Sequence, residues 1–287
     1  MRTRIIVGNI LAAFTIALLA GDRYLAPWFP ILFAALAFIG VVATRELLTL
    51  FPADIRPGTG LTVGGVLVVM AANWVPQLTP AVSWPLAVLG AFVAVFLAAV
   101  LLEMWRFREP GGIVPRLGLV LFAAAYLGLL GSTFAQLRWI TPDPVRSSWL
   151  LGLAIFIPKG ADTGAYFAGR AFGRHRMTPF LSPKKTWEGL AGGLTWSALT
   201  AVGFDYLAGG LFGHGMMEAA AFGIVVGAAG VLGDLAESLV KRDAHAKDAA
   251  AAIPGFGGLL DVVDSVLFAA PVAYLWFALS QAYTPVR

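Results

Sequence analysis

The chain has 287 residues, of which 59% are hydrophobic and only 13% charged, and its mean hydropathy is +0.81. A soluble domain carries about 25% charged residues, so this chain lacks the polar surface to cover itself in water and reads as a membrane protein. With no cysteine, disulfides, thiolate metal sites and cysteine nucleophiles are excluded. The net charge of +4 comes from basic residues flanking apolar runs, which set topology and meet anionic headgroups rather than nucleic acid.

A helix needs ~20 mostly apolar residues to cross the hydrocarbon. Nine segments meet that description, at about 4–21, 28–44, 61–78, 85–104, 117–135, 148–168, 188–209, 218–240 and 261–281. The first, behind Met1-Arg2-Thr3-Arg4, is expected to be a membrane helix rather than a cleaved signal, because many further spans follow. Breaker residues such as Phe51-Pro52-Ala53-Asp54 and Thr141-Pro142-Asp143-Pro144 separate the spans. The expected fold class is an all-α polytopic membrane protein of about nine transmembrane helices. Residues 1–147 form a scaffold and 148–287 a chemically active region, within one integrated membrane domain. With the N-terminus in the cytoplasm, 15 of the 20 basic residues fall on the cytoplasmic side and four outside, and Lys159 lies within a span. That asymmetry sets the orientation and puts the loops 169–187 and 241–260 in the cytoplasm.

Charge is unevenly placed along the chain. In the first half Glu103 is the one acid expected near a helix core. From residue 159 onward, Lys159, Asp162, Asp234, Glu237, Asp261 and Asp264 all fall in or at the ends of apolar segments. An intramembrane charge costs ~2.5–3.5 kcal/mol on insertion scales, so such residues are functional candidates. The bland alternative, solvation just beyond the hydrocarbon, suits one of them better than six. Asp234, Glu237, Ser238 and Lys241 share one helical face, and Asp261 and Asp264 stand one turn apart at the start of the last helix. Converging carboxylates without cysteine suit Mg²⁺ rather than zinc. The expected metal ligands are Asp234, Asp261 and Asp264.

Two loops complete the pattern. Lys241-Arg242, then Lys247-Asp248, precede the glycine-rich run Pro254-Gly255-Phe256-Gly257-Gly258 that enters the last helix. Backbone N–H groups at Gly257 and Gly258 are expected to cradle phosphate, because no side chain blocks their approach. Upstream, Ser182-Pro183-Lys184-Lys185-Thr186-Trp187-Glu188-Gly189 offers two ammonium groups, hydroxyls and an acid directly before an apolar span. A positive-inside stop signal would explain its lysines and Trp187, but not its hydroxyls, glycine and acid.

The order Ser238-Leu239-Val240-Lys241-Arg242, Lys247-Asp248, Pro254 to Asp261, Asp264 resembles the signature of the phosphatidate cytidylyltransferase family. Asp162-Thr163-Gly164-Ala165-Tyr166 and the Ser182–Gly189 stretch are similar to it as well. Two positions depart from that pattern: Phe256 stands where the family usually has His, and Val262 where it has Arg. The resemblance implies a nucleotidyltransferase of the inner membrane, active on its cytoplasmic face and working as a homodimer. It would move a cytidylyl group from CTP to phosphatidic acid, giving CDP-diacylglycerol and pyrophosphate for phospholipid synthesis. Lys241, Arg242, Asp234, Asp261 and Asp264 would carry catalysis, with Mg²⁺ held by the three aspartates. Ser182, Lys184, Lys185, Asp162, Ser238, Lys247, Gly257 and Gly258 would contact substrate. Two other classes use intramembrane acids. A CDP-alcohol phosphatidyltransferase opens its motif with Asp-Gly-x-x-Ala-Arg, which this chain lacks. A cation-coupled transporter often has paired halves, whereas these acids sit in one half.

Overall fold

The computed structural model describes residues 2–250, 252–253 and 257–283. Among them, each of the nine expected spans falls on a long helical segment. These are α1 (Arg2–Asp22), α2 (Pro30–Thr49), α3 (Thr59–Ala71) continued through a 3₁₀ turn into α4 (Val75–Leu78), α5 (Trp84–Arg106), α6 (Ile113–Ala123) continued through a π-helical stretch into α7 (Leu130–Gln136), α8 (Pro144–Phe172), α9 (Trp187–Leu207), α10 (Gly215–Asp243) and α11 (Leu259–Tyr283). Seven of the segments are long and apolar enough to cross a membrane, and the chain is a multi-pass membrane protein. The two that fall short are α8, which carries Arg146, Lys159, Asp162 and Arg170, and α9. The expected loop at 169–187 contains an antiparallel hairpin of β1 (Arg176–Thr178) and β2 (Ser182–Thr186), so the Ser-Pro-Lys-Lys-Thr run is a strand.

The chain divides into two compact units, residues 1–135 with 248–262, and residues 136–247 with 263–287. In the first unit, Asp22 accepts hydrogen bonds from the Ile31 and Leu32 N–H groups (3.0 and 3.2 Å), and Pro30 occupies the first turn of α2. Together they start that helix where four N–H groups lack intrahelical partners. Its buried face repeats at Leu32, Leu36, Gly40, Ala43 and Leu47, the helical period. The core of this unit is aliphatic, from Val69, Ala72, Val88, Val95, Ala99, Val120 and Ala124. One polar pair crosses it: Asn73 Nδ2 donates to Ser132 Oγ at 2.8 Å.

The second unit is built on close helix approach. Lipid tails are as apolar as leucine, so membrane helices associate through van der Waals fit and small residues. On α10, a Cβ added to Gly230 would lie 2.5 Å from Pro158 Cβ of α8, and one added to Gly233 would lie 2.6 Å from the Asp264 carbonyl of α11. Pro158 itself has no N–H for the preceding turn of α8, which marks a weak point in the helix directly before Lys159. The glycines therefore bring the charged stretches of α8, α10 and α11 within side-chain reach of one another.

Gly233→Val should destabilise the protein by about 1–3 kcal/mol or more, as overpacking does. Gly203→Ala, in α9 with nothing within 4 Å, should be neutral or slightly stabilising. Thermal unfolding of the two variants in detergent checks the contrast; equal melting temperatures would contradict the close-packing account.

Candidate active site

In the second unit α8, α10, α11 and the hairpin bring together four carboxylates and three ammonium groups. Lys159 Nζ lies 3.8 Å from Asp264 Oδ1 and 3.9 Å from Asp162 Oδ2, and donates to Ser265 Oγ at 2.8 Å. Lys185, from strand β2, pairs with Asp234 Oδ2 at 2.9 Å, and Ser238 Oγ approaches Asp234 Oδ1 at 3.4 Å. Asp264 is buried, and its Oδ1 accepts the Ser265 N–H at 2.5 Å. Asp162, Asp234, Glu237 and Asp264 outnumber Lys159, Lys185 and Lys241 by one negative charge. Unpaired, such charges are too costly in an apolar bundle; as pairs they form a polar cluster able to exchange partners with an incoming ion.

Lys241 is paired within its own helix. Its Nζ bonds Glu237 Oε2 at 2.6 Å, one turn back on α10, and the two residues are 8% and 1% exposed. Lys241 thus shares its helical face with the carboxylate that neutralises it. Lys241 and Glu237 brace α10 from within. Arg242 is exposed, with Nε donating to the Leu181 carbonyl (3.3 Å) and Nη1 to that of Ala246 (2.8 Å), so it links the end of α10 to the hairpin. Lys184 and Lys247 are exposed, and Ser182 is partly buried in β2.

The described part of the glycine-rich turn is tied to carboxylates of the chain. Pro254, Gly255 and Phe256 lie outside the described residues. At the start of α11, the Leu259 and Leu260 N–H groups donate to Glu46 Oε1 and Oε2 (3.0 and 2.7 Å). The Gly258 N–H donates to Asp261 Oδ2 (2.7 Å), as does that of Ala249 (3.1 Å), and the Gly257 N–H bonds the Ile253 carbonyl (3.1 Å). The donors expected to cradle phosphate at Gly257 and Gly258 already have acceptors. Two carboxylates of the chain, at Glu46 and Asp261, fill the anion site that a helix N-terminus creates. Gly257 is still required: its φ is +94°, and an added Cβ would lie 2.6 Å from Asp261 Oδ2.

These contacts bear on the expected metal set. Among the described residues no group of three or more His, Cys, Asp or Glu side chains forms a cation cage, and Asp261 Oδ2 is engaged with its own turn. Mg²⁺, however, keeps several waters and takes one or two carboxylates plus substrate phosphates rather than an all-protein cage. Asp234 and Asp264, hard oxygen donors in a cluster with one negative charge in excess, fit that kind of site.

Lys159, a functional candidate from the sequence without assigned partners, touches Asp162, Asp264 and Ser265. Glu46 is a participant not singled out from the sequence, since Glu103 is the acid of the first half expected near a helix core. Glu103 instead pairs with Arg116 at 2.9 Å, while Glu46 is 7% exposed inside α2. The signal was there: an acid following Ala43-Thr44-Arg45 in a helix that continues through Leu47 and Leu48.

Glu46→Ala would leave the buried Leu260 N–H and the partly buried Leu259 N–H without acceptors, costing about 1–3 kcal/mol for the buried group. It should lower the melting temperature and loosen the start of α11, read as faster amide exchange at Leu259 and Leu260. Gly257→Val should be similarly damaging, because a β-branched residue resists positive φ. Parent-like exchange in both variants would refute this account of the turn.

The sequence belongs with known proteins over nearly all its length. A model of the cytidylyltransferase family matches residues 2–280. A phosphatidate cytidylyltransferase of Synechocystis is 30% identical, over 94% of this chain and 94% of its own. One from Chlamydia pneumoniae is 28% identical, over 97% and 92%. A third, from Haemophilus influenzae, is 39% identical across half of each chain. With that family match over nearly the whole chain, the chain is a member of the cytidylyltransferase family.

Proposed function

We propose that this protein transfers a cytidylyl group from CTP to phosphatidate within the membrane, releasing pyrophosphate and leaving CDP-diacylglycerol. The near full-length likeness to relatives named phosphatidate cytidylyltransferase carries the reading, and the cluster of lysines and carboxylates on α8, α10, α11 and the hairpin supplies the chemistry. A phosphate oxygen of the lipid forms a bond to the α-phosphorus of CTP. The bond from that phosphorus to the bridging oxygen breaks, and pyrophosphate leaves with the electron pair. The attacking oxygen is already anionic at neutral pH, so the site must align the groups and offset charge more than remove a proton.

The roles follow from exposure and pairing. Lys184, Arg242 and Lys247 are exposed cations at the hairpin and the end of α10, able to meet the triphosphate. Lys159 and Lys185 hold Asp264 and Asp234 in place and can shift toward phosphate oxygens as those carboxylates take another partner. Ser182, Ser238 and Asp162 offer hydrogen bonds at the edges of the cluster. Lys241, with Glu237, and Asp261, with Glu46, are positioning residues. Asp234 and Asp264 would hold Mg²⁺, which when bound would offset charge on the reacting phosphates. The distribution of basic residues supports a cytoplasmic face for this site in an inner membrane. A homodimer, implied by the family resemblance, belongs to the same proposal.

Asp234→Asn and Asp264→Asn should each lower Mg²⁺-dependent incorporation of labelled CTP into lipid by about 10²–10³-fold, with far-UV circular dichroism unchanged. Near-parent rates in both would move the reaction away from this cluster, and an inactive parent would remove the reaction itself. For orientation, Arg174→Cys and Thr141→Cys should react with a membrane-impermeant thiol reagent from opposite sides, Arg174→Cys only when the cytoplasmic face is open. Labelling of both from one side would overturn the assigned topology.

A further inference from the structure

The first unit holds a charged cavity lined by none of the residues assigned above to cytidylyl transfer. About 720 Å³ in volume, it lies among the end of α5, the start of α6 and the segment before α3, and it is lined in part by Arg56, Arg106, Arg108 and Arg116. Its floor is built. Arg116 donates to Glu103 through Nε and Nη2 (3.1 and 2.9 Å to Oε2) and to the Asp54 carbonyl through Nη1 (3.3 Å). Gly112, at φ +71°, leaves room for that guanidinium: an added Cβ would lie 2.8 Å from Arg116 Nη1. Arg56 is held by the Phe51 carbonyl at 2.6 Å.

The remaining cations are available to a ligand. Among the described residues no ion pair engages Arg56, Arg106 or Arg108. The cavity also includes Asp54, Glu103 and Glu109, so four arginines against three acids leave one positive charge in excess. Glu103 is taken up by Arg116, and Asp54 and Glu109 are exposed. Apolar side chains stand beside the arginines at the same helix ends: Met104, Trp105 (77% exposed), Phe107 and Val114 all project outward. Tryptophan marks the headgroup level of a membrane, and basic pockets between membrane helices bind anionic headgroups. A soluble anion would need the arginines alone; the outward apolar side chains suit a molecule with acyl chains.

We propose that this cavity binds the phosphate headgroup of an anionic phospholipid, its acyl chains lying along α5 beside Met104 and Trp105. The site is independent of cytidylyl transfer, and its test needs no activity. The purified full chain in a neutral detergent is titrated with phosphatidylglycerol, phosphatidylcholine or inorganic phosphate, and melting temperature and lipid retained in native mass spectra are recorded. Phosphatidylglycerol should raise the melting temperature by mass action and stay bound, while phosphatidylcholine and phosphate do neither. Arg106→Gln with Arg108→Gln should weaken that response at least about 10-fold, because two cations facing the headgroup are removed. Arg106→Lys with Arg108→Lys should keep most of it. Asp54→Asn with Glu109→Gln, which adds positive charge, should tighten binding, so the proposal stays testable even if the glutamine pair does not fold. Equal responses to the two lipids would overturn it. So would phosphate alone matching phosphatidylglycerol, or no change in either the glutamine pair or the charge-raising pair.

Discussion

An ionised side chain among apolar helices must find an opposite charge or a set of hydrogen bonds, and the second unit is arranged around that requirement. Lys159, one residue past Pro158 in α8, has Asp162, Asp264 and Ser265 within reach. Lys185 leaves the hairpin to meet Asp234, and Lys241 folds back on Glu237. Coulomb attraction at 4 Å is worth about 4 kcal/mol at an effective dielectric of 20, enough to offset much of the desolvation but not to lock the pairs. Such pairing keeps the charges in the bundle and leaves them exchangeable, which suits a site that must accept a highly charged nucleotide and release pyrophosphate.

The pairing depends in turn on backbone proximity. Gly230 against Pro158 and Gly233 against the Asp264 carbonyl let α10 approach α8 and α11 more closely than any larger residue would allow. Short side chains such as aspartate can then meet lysines of neighbouring helices. A bundle of the same length spaced by leucines would hold its helices 8–10 Å apart and leave the acids without partners.

The start of α11 obeys the same rule with backbone donors. A helix N-terminus attracts negative charge, and here Glu46 and Asp261 supply it from within the chain. Glycine at position 257 is needed for its positive φ and for the closeness of Asp261.

Hydropathy and charge spacing determined the membrane class, the position of each helical segment and the run of charges in apolar segments after residue 159, because a span must be apolar for ~20 residues and an intramembrane charge is costly wherever it appears. The common face of Asp234, Glu237, Ser238 and Lys241 was likewise legible, since helical periodicity is local. Only the tertiary structure decided which charge answers which. Lys241 is neutralised by Glu237, Lys159 stands between two aspartates, and Glu46 closes a helix more than 200 residues further on. Partner choice depends on distances between helices, which the order of residues does not contain, and on which glycines allow those helices to meet.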